Sequence, residues 1–507
     1  METNIQSEQV MLKKEKLTVN IEQIIENDMS LADYYGDIVK ILGNSVTVNI
    51  FSSVITGDKA IVDGSVKIRT LYINNDGDSE IFETDCPFNR SVDVRNCEDT
   101  DFVYVSVISE QVNCRAVNQR RAEIRGSVTL KVSVLSMEVC NIVSAENADL
   151  CHILPYNAHG YFLSLTNSKS YTVASSADVD ESIKAKQIYR VNTLPVVNEV
   201  RTIKNKMMVK GNVTVDVVIL AKDNSFVTQK LNLPINQIAD IEGIDEDKRC
   251  CVSVLVKSCD ARLISDTPQA PAQIETSVII EVITDAYRKA DINAVADAYS
   301  NECELICRQN TIKCTSDIIR INENYAVSSK MDFSSCNATD ISDVAIKKIR
   351  YTVQPQGNVL TIKGNIHFGI VVCSDAEKLY FDRISDFEYT KQFGVDISEC
   401  EFNPNICINA VNYSMSENSQ ATVNTEIYVD GCLNVEKNCN IITSIEKGQL
   451  KNHKYDDGVI TVYFASEGEK IWDIAREYNS SVSLIKSLNE LTEDVLSENR
   501  MIVFEQE

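Results

Sequence analysis

Three stretches of this sequence are variants of one another. DKAIVDGSVKIRTLYI, NKMMVKGNVTVDVVIL and NVLTIKGNIHFGIVVC align on Gly64, Gly211 and Gly364, offset by 147 and 153 residues. A second set keeps nearly the same period: AEIRGSVTL from Ala122, AQIETSVII from Ala272 and ATVNTEIYV from Ala421, at 150 and 149. Tyr171 and Tyr325, 154 residues apart, open YTVASS and YAVSSK just before acidic, Ser-rich turns. A period of this length means one domain copied three times, and it decides the architecture before any local motif is weighed.

Within each copy the apolar residues alternate. Val128, Leu130, Val132 and Val134 share one face of an extended strand, with Ser127, Thr129, Lys131 and Ser133 on the other. Val213, Val215, Val217 and Ile219 repeat the pattern, as do Ile366, Phe368, Ile370 and Val372. Short β-branched strands with turn signals such as NNDGD (74–78) and KDN (222–224) predict a mainly β chain of three tandem antiparallel β-sandwich or barrel-like repeats. The pattern is the same for sandwich and barrel. The expected repeats are 16–144, 161–290 and 315–444, preceded by a flexible N-terminus, 1–15.

The length of 507 residues suits several domains at roughly 100–200 residues each. With 49 Lys and Arg against 74 Asp and Glu the net charge is −25, the wrong sign for gripping nucleic-acid phosphates or anionic lipid. Hydrophobic residues at 44% place that acidity on the surface of a folded protein. The opening METNIQSEQVMLKKEKL has no apolar leader, and no run of about 18 apolar residues occurs, so cytosolic retention without membrane insertion is expected. Seventeen cysteines, an odd number spread from Cys86 to Cys439, then read as reduced thiols. Cys303, Leu305 and Cys307 share a strand face, as small buried hydrophobes do. CxxC spacing is absent and only four histidines exist, which disfavours zinc; Cys303, Cys307 and Cys314 would be the ligands to test.

Residues 445–458 (IEKGQLKNHKYDDG) lose the apolar period and gather Lys447, Lys451, His453 and Lys454, the marks of a linker. From Val459 to Glu507 the pattern becomes strand, two short amphipathic helices and strand. Ile471, Ile474, Ala475 and Tyr478 stand at i, i+3, i+4 and i+7, the buried stripe of a helix. Ser483 suits the cap of a second helix carrying Leu484, Ile485 and Leu488, and Asn489 the left-handed residue at its end.

This tail, 459–507, is similar to the LysM module. It has Val462-Tyr463, then EGEKIWDIAREY where the family has a G-D-T-L-W-x-I-A-like run, then Leu484, Asn489 and Leu491, and a last strand Met501-Ile502-Val503. It departs at Glu469, where the family has Asp, at Lys470, where it has Thr or Ser, and at Phe504, where Pro often ends the strand. The resemblance implies a small α+β (βααβ) domain whose loops Ser466–Trp472 and Asn489–Asn499 form a shallow groove for N-acetylglucosamine-containing glycan. The candidate partner- or glycan-binding residues are therefore Ser466, Glu467, Gly468, Glu469, Lys470, Trp472, Asn489, Glu490 and Leu491. The K-G-N-V/I strand pattern, with Pro87 and Pro234 each 23 residues after the glycine and Phe387 at that spacing in the third copy, resembles the domain found in tandem in clostridial spore coat proteins. Together the repeats and the tail resemble the SipL-type spore coat morphogenetic proteins. That resemblance implies a non-enzymatic scaffold in spore coat assembly. It would work in the mother-cell cytoplasm at the forespore surface, later in the spore coat, its LysM binding the coat-basement ATPase, stage IV sporulation protein A.

The tail carries ten acids and four bases, a poor charge for a wall rich in anionic polymer, and a single copy forgoes avidity. Both favour a protein partner. Trp472, the only tryptophan, falls off the helix stripe and reads either as an interface anchor or as a cover for the edge of a small module. No GxSxG, HExxH, GxxxxGK[ST] or GxGxxG occurs, the acids Asp240, Glu242, Asp245, Glu246 and Asp247 read as a solvated loop, and His367 falls on a strand's polar face. No catalytic residue, cofactor or metal is assigned. The alternative is a peptidoglycan-binding, cell-wall-associated protein or an accessory to a wall hydrolase, which would have to leave the cell.

Overall fold

The computed structural model describes residues 7–98, 100–145, 151–180, 182–264, 272–374, 377–451 and 460–505. The first unit runs β1 (Ser7–Ser30), β2 (Ile38–Thr56), β3 (Lys59–Asn74), β4 (Ser79–Asp93), β5 (Phe102–Asn118) and β6 (Arg121–Val143). Its strands form two antiparallel sheets, β2-β3-β4 and β1-β6-β5. The second unit repeats this with β7 (His152–Asp178), β8 (Ala185–Ile203), β9 (Lys206–Ala221), β10 (Phe226–Asp240), β11 (Arg249–Ile264) and β12 (Gln273–Tyr299). The third has β13 (Cys303–Asp332), β14 (Ala338–Gln356), β15 (Val359–Ser374), β16 (Lys378–Gln392), β17 (Cys400–Phe402), β18 (Asn405–Met415) and β19 (Gln420–Leu450). Where the other units have one strand, this one has β17 and β18, with Pro404 between them; proline has no N–H to give a ladder.

In each unit the two sheets face one another across one apolar core. Val128, Leu130, Val132 and Val134 of β6 are buried in one cluster with Val62, Val66 and Ile68 of β3, so the units are sandwiches. The three anchoring glycines lie on β3, β9 and β15, the central strands of equivalent sheets. A Cβ at Gly64, Gly211 or Gly364 would stand 2.3, 2.1 or 2.2 Å from the carbonyl oxygen of Asn49, Val196 or Arg350 on the neighbouring strand. Only a residue without Cβ fits that approach. The register corrects one alignment. Gly64 faces Phe88, Gly211 faces Ile235 and Gly364 faces Phe387. Phe387 is thus equivalent to Phe88 and Ile235, and Asp386 to the two prolines, because the third unit is one residue shorter between glycine and partner.

The first and last strands of each unit run on, paired, beyond the sandwich. Ser7–Glu15 pair with Leu135–Val143, His152–Leu163 with Tyr287–Tyr299, and Cys303–Cys314 with Lys437–Leu450. The three ribbons meet in one cluster of Val10, Cys140 and Ile142 with Ala158, Phe162, Ile292 and Ala294, and Ile312, Cys314, Cys439 and Ile441. Gly160 permits the contact, since its Cβ would lie 2.6 Å from the Thr315 carbonyl oxygen. Residues 7–15, expected as a flexible N-terminus, and 445–450, expected as linker, are strand for this reason. Residues 1–6 and 452–458 of those expectations lie outside the described residues.

A second junction joins the three inner sheets. Each carries a β-bulge at an equivalent place, at Gly43, Arg190 and Asp343. Arg190 donates to both oxygens of Asp343, at 2.8 and 3.0 Å, and to the Val344 carbonyl at 3.1 Å, with both side chains over nine-tenths buried. Nearby, the turns ending β3, β9 and β15 touch: Ser79 N–H donates to Asn224 Oδ1 at 2.8 Å, and Lys378 Nζ donates to the Asn224 carbonyl at 3.0 Å. Lys67–Asp260 (2.9 Å) and Lys40–Glu377 (2.6 Å) tie the first unit to the second and third. Removing one partner of a buried pair strands the other charge, at a cost of about 3–5 kcal/mol, whereas apolar replacement of both is near neutral. Arg190→Ala is therefore expected to lower the urea midpoint of the full chain sharply, and the Arg190→Met, Asp343→Leu double variant to recover most of the loss.

Candidate functional site

The tail is β20 (Ile460–Ala465), α1 (Ile471–Glu477), α2 (Val482–Asn489) and β21 (Arg500–Glu505), with β20 antiparallel to β21. Ile471, Ile474 and Ala475 pack with Ala465, Ile485, Leu496 and Ile502, and Tyr478 covers their edge, as the helical stripe requires. The cap of α2 is Ser481, whose Oγ accepts from Leu484 N at 3.2 Å; Ser483, the expected cap, is the second residue of the helix. The left-handed residue is Glu490, with φ of 53°, and Asn489 is the last helical residue. Buried Asn489 fastens α2 to β21: its Oδ1 accepts from Val503 N at 2.8 Å and its Nδ2 donates to Ile485 O at 2.8 Å.

The two loops expected to form a groove are laced together. Gly468 N donates to Leu496 O (2.8 Å), Leu496 N to Glu469 O (2.9 Å), Ile471 N to Asp494 O (3.0 Å), and Glu467 N to Asn499 Oδ1 (2.8 Å). Gly468 has φ of +87°, the left-handed region that favours glycine. Ser466, Glu467, Gly468, Lys470 and Glu490 are exposed, and Glu469 and Leu491 half-buried. The rim they form is acidic, with exposed Glu493, Asp494 and Glu498 adding to Glu467 and Glu490. The structure thus brings most of the expected residues to one exposed rim, with Asn489 committed beneath it.

Trp472 goes elsewhere. Its indole N–H donates to Asp297 Oδ2 at 2.9 Å, and its ring meets Tyr299 edge-on, centroids 4.9 Å apart. Arg476 donates to the same Asp297 oxygen at 2.7 Å, Tyr299 Oη donates to the Ser480 carbonyl at 2.8 Å, and Lys451 pairs with Asn479. Asp297 and Tyr299 sit at the end of β12, just past a bulge between Val295 and Asp297 that re-aims the strand's side chains. Trp472 is therefore an anchor within the chain, seating the tail on the repeats through α1 and the turn after it. Asp297 and Tyr299 escape a reading of the sequence because their segment, ADINAVADAYS, carries no motif and lies between the recognisable repeats.

Among the described residues no group of three or more His, Cys, Asp or Glu is placed to hold a metal, and no helix is long and apolar enough to cross a membrane. All seventeen cysteines are free. His367 lies on the polar face of β15, its Nε2 2.9 Å from Asn365 Oδ1, and burial with nearby Arg350 and Lys348 lowers its pKa.

Comparison with known families matches residues 37–117 and 184–264 to the SipL, SPOCS domain, and 466–504 to the LysM domain. The first two matches span β2 to β5 and β8 to β11; β14 to β18 is the third unit's counterpart in the fold. The chain carries SipL SPOCS domains plus a C-terminal LysM domain. No curated protein and no solved structure matches it.

As the sole tryptophan, Trp472 reports its own seat. A hydrogen bond to a charged group contributes about 1.5–3 kcal/mol. Asp297→Ala is expected to red-shift the emission and raise acrylamide quenching without altering far-ultraviolet circular dichroism.

Proposed function

From SPOCS units joined to a LysM domain, we infer a non-enzymatic scaffold in spore coat assembly, acting at the forespore surface and later within the coat. The family implies the coat role and coat-protein partners. The observation that carries the reading is the seating of the LysM: Trp472 and Arg476 bind Asp297 of the repeats, so the module is held with its laced, acidic rim outward. A rim held in place by a large framework suits an adaptor that joins one protein to others.

The partner proposed for that rim is the coat-basement ATPase, stage IV sporulation protein A, in the mother-cell cytoplasm. Ser466, Glu467, Gly468, Glu469, Lys470, Glu490 and Leu491 make the contact, while Trp472 and Asn489 hold the rim's shape and direction. An acidic surface speeds encounter with a basic one, and the gain is screened by salt. LysM similarity by itself suggests peptidoglycan binding through the same loops. That reading meets the like charge of the rim and of anionic wall polymers.

Binding of the full chain to the purified ATPase distinguishes the two. The Glu467→Lys, Glu490→Lys double variant is expected to slow association about tenfold at low salt and to flatten its salt dependence. Unchanged ATPase binding, with binding to chitin oligomers or peptidoglycan lost, would replace the scaffold by the wall-binding protein.

A further inference from the structure

We propose that Cys251 and Cys432 form a thiol–disulfide site that takes a hydroperoxide as oxidant and, once oxidised, joins the second repeat covalently to the third. Cys251 lies on β11 and Cys432 on β19, strands of different units, and Cys432 packs against the buried cluster that holds Cys251 at the seam. They pack with Tyr287 and Ile318 and against Tyr161 and Leu163, so the seam fixes both sulfurs. Arg320 straddles it: Nη1 donates to the Val252 carbonyl at 2.9 Å and stands 3.8 Å from Cys432 Sγ, and Nη2 pairs with Asp430. Such a cation beside a thiol favours the thiolate, the reactive form.

The alternation of β11 selects the sulfur. Cys250 turns into the second unit's own core, and Cys251 faces the third unit. Cys432 is half-buried and Cys251 more deeply covered, which makes Cys432 the group that meets oxidant first. The neighbouring Cys251 thiol and the charge of Arg320 hold the Cys432 thiol down at about 7 against desolvation, and the same pairing pushes Cys251 up.

The chemistry balances with hydrogen peroxide. Cys432 thiolate attacks one peroxide oxygen, the O–O bond breaks, and the leaving hydroxide takes a proton to become water, leaving a sulfenic acid. Cys251 sulfur then attacks the sulfenic sulfur, the S–O bond breaks, and the departing hydroxide takes the Cys251 proton as a second water. Two thiols and one peroxide become one disulfide and two waters.

A second close pair, Cys314 and Cys439, provides an internal comparison. These thiols share one cluster, but both are buried in the ribbon hub at 4% and 2% exposure, and Cys439 Sγ is 3.1 Å from Tyr156 Oη. They sit on strands already paired and closed to solvent.

The test uses the reduced full chain, treated with one equivalent of hydrogen peroxide, alkylated under denaturation and mapped by peptide mass spectrometry. A Cys251–Cys432 peptide is expected as the major product, with two of the seventeen thiols lost per chain. Cys250→Ser should leave it intact. Cys432→Ser should abolish it, with circular dichroism confirming that the variant folds. A major Cys250–Cys432 or Cys314–Cys439 product, or an alkylated Cys251–Cys432 pair after other thiols have been oxidised, would overturn the proposal.

Discussion

Everything in this molecule depends on the antiparallel pairing of each unit's first strand with its last. That pairing closes one sheet of the sandwich, and it does not stop where the sandwich stops. A two-stranded ribbon alone is marginal in water, because it has no second layer to bury its apolar face. Three such ribbons supply one another's missing layer. Val10, Ile142, Phe162, Ile292, Ile312 and Ile441 come from all three units and are nearly excluded from solvent.

Two polar junctions add direction to that apolar hub. Arg190–Asp343 and the turn contacts around Asn224 link the inner sheets, and each unit thereby contacts the other two. Hydrophobic burial tolerates sliding, whereas a bidentate, buried ion pair does not. The LysM domain draws on the same arrangement, because its receptors, Asp297 and Tyr299, are at the end of one of the hub's ribbons.

The repeats were legible because alternation and a glycine without room for Cβ are local properties, written in sequence wherever the strand occurs. Gly64, Gly211 and Gly364 could be aligned without knowing that Asn49, Val196 and Arg350 press against them. The LysM fold was legible for a similar reason: Ile471, Ile474, Ala475 and Tyr478 describe one helix face. What stayed hidden was every contact between units. Residues 7–15 and 445–450 looked like tails because their partners are more than a hundred residues away. Trp472 read equally as an interface anchor or as a cover for the module's edge, because its acceptor, Asp297, is 175 residues distant and carries no pattern of its own. The end of α2 shows the same limit at short range, since Asn489 is taken by Val503 and leaves the left-handed position to Glu490.

The three bulges place Gly43, Arg190 and Asp343 at the same point of three copies of one fold. Three identical copies assembled around that point would bring together three guanidiniums, three carboxylates or three glycines. The first two arrangements bury like charges, and the third leaves an unfilled centre. In this chain each copy instead holds a fixed seat. The order of the repeats along the chain has become structural information that no single repeat carries, and exchanging any two would undo a centre that all three were needed to build.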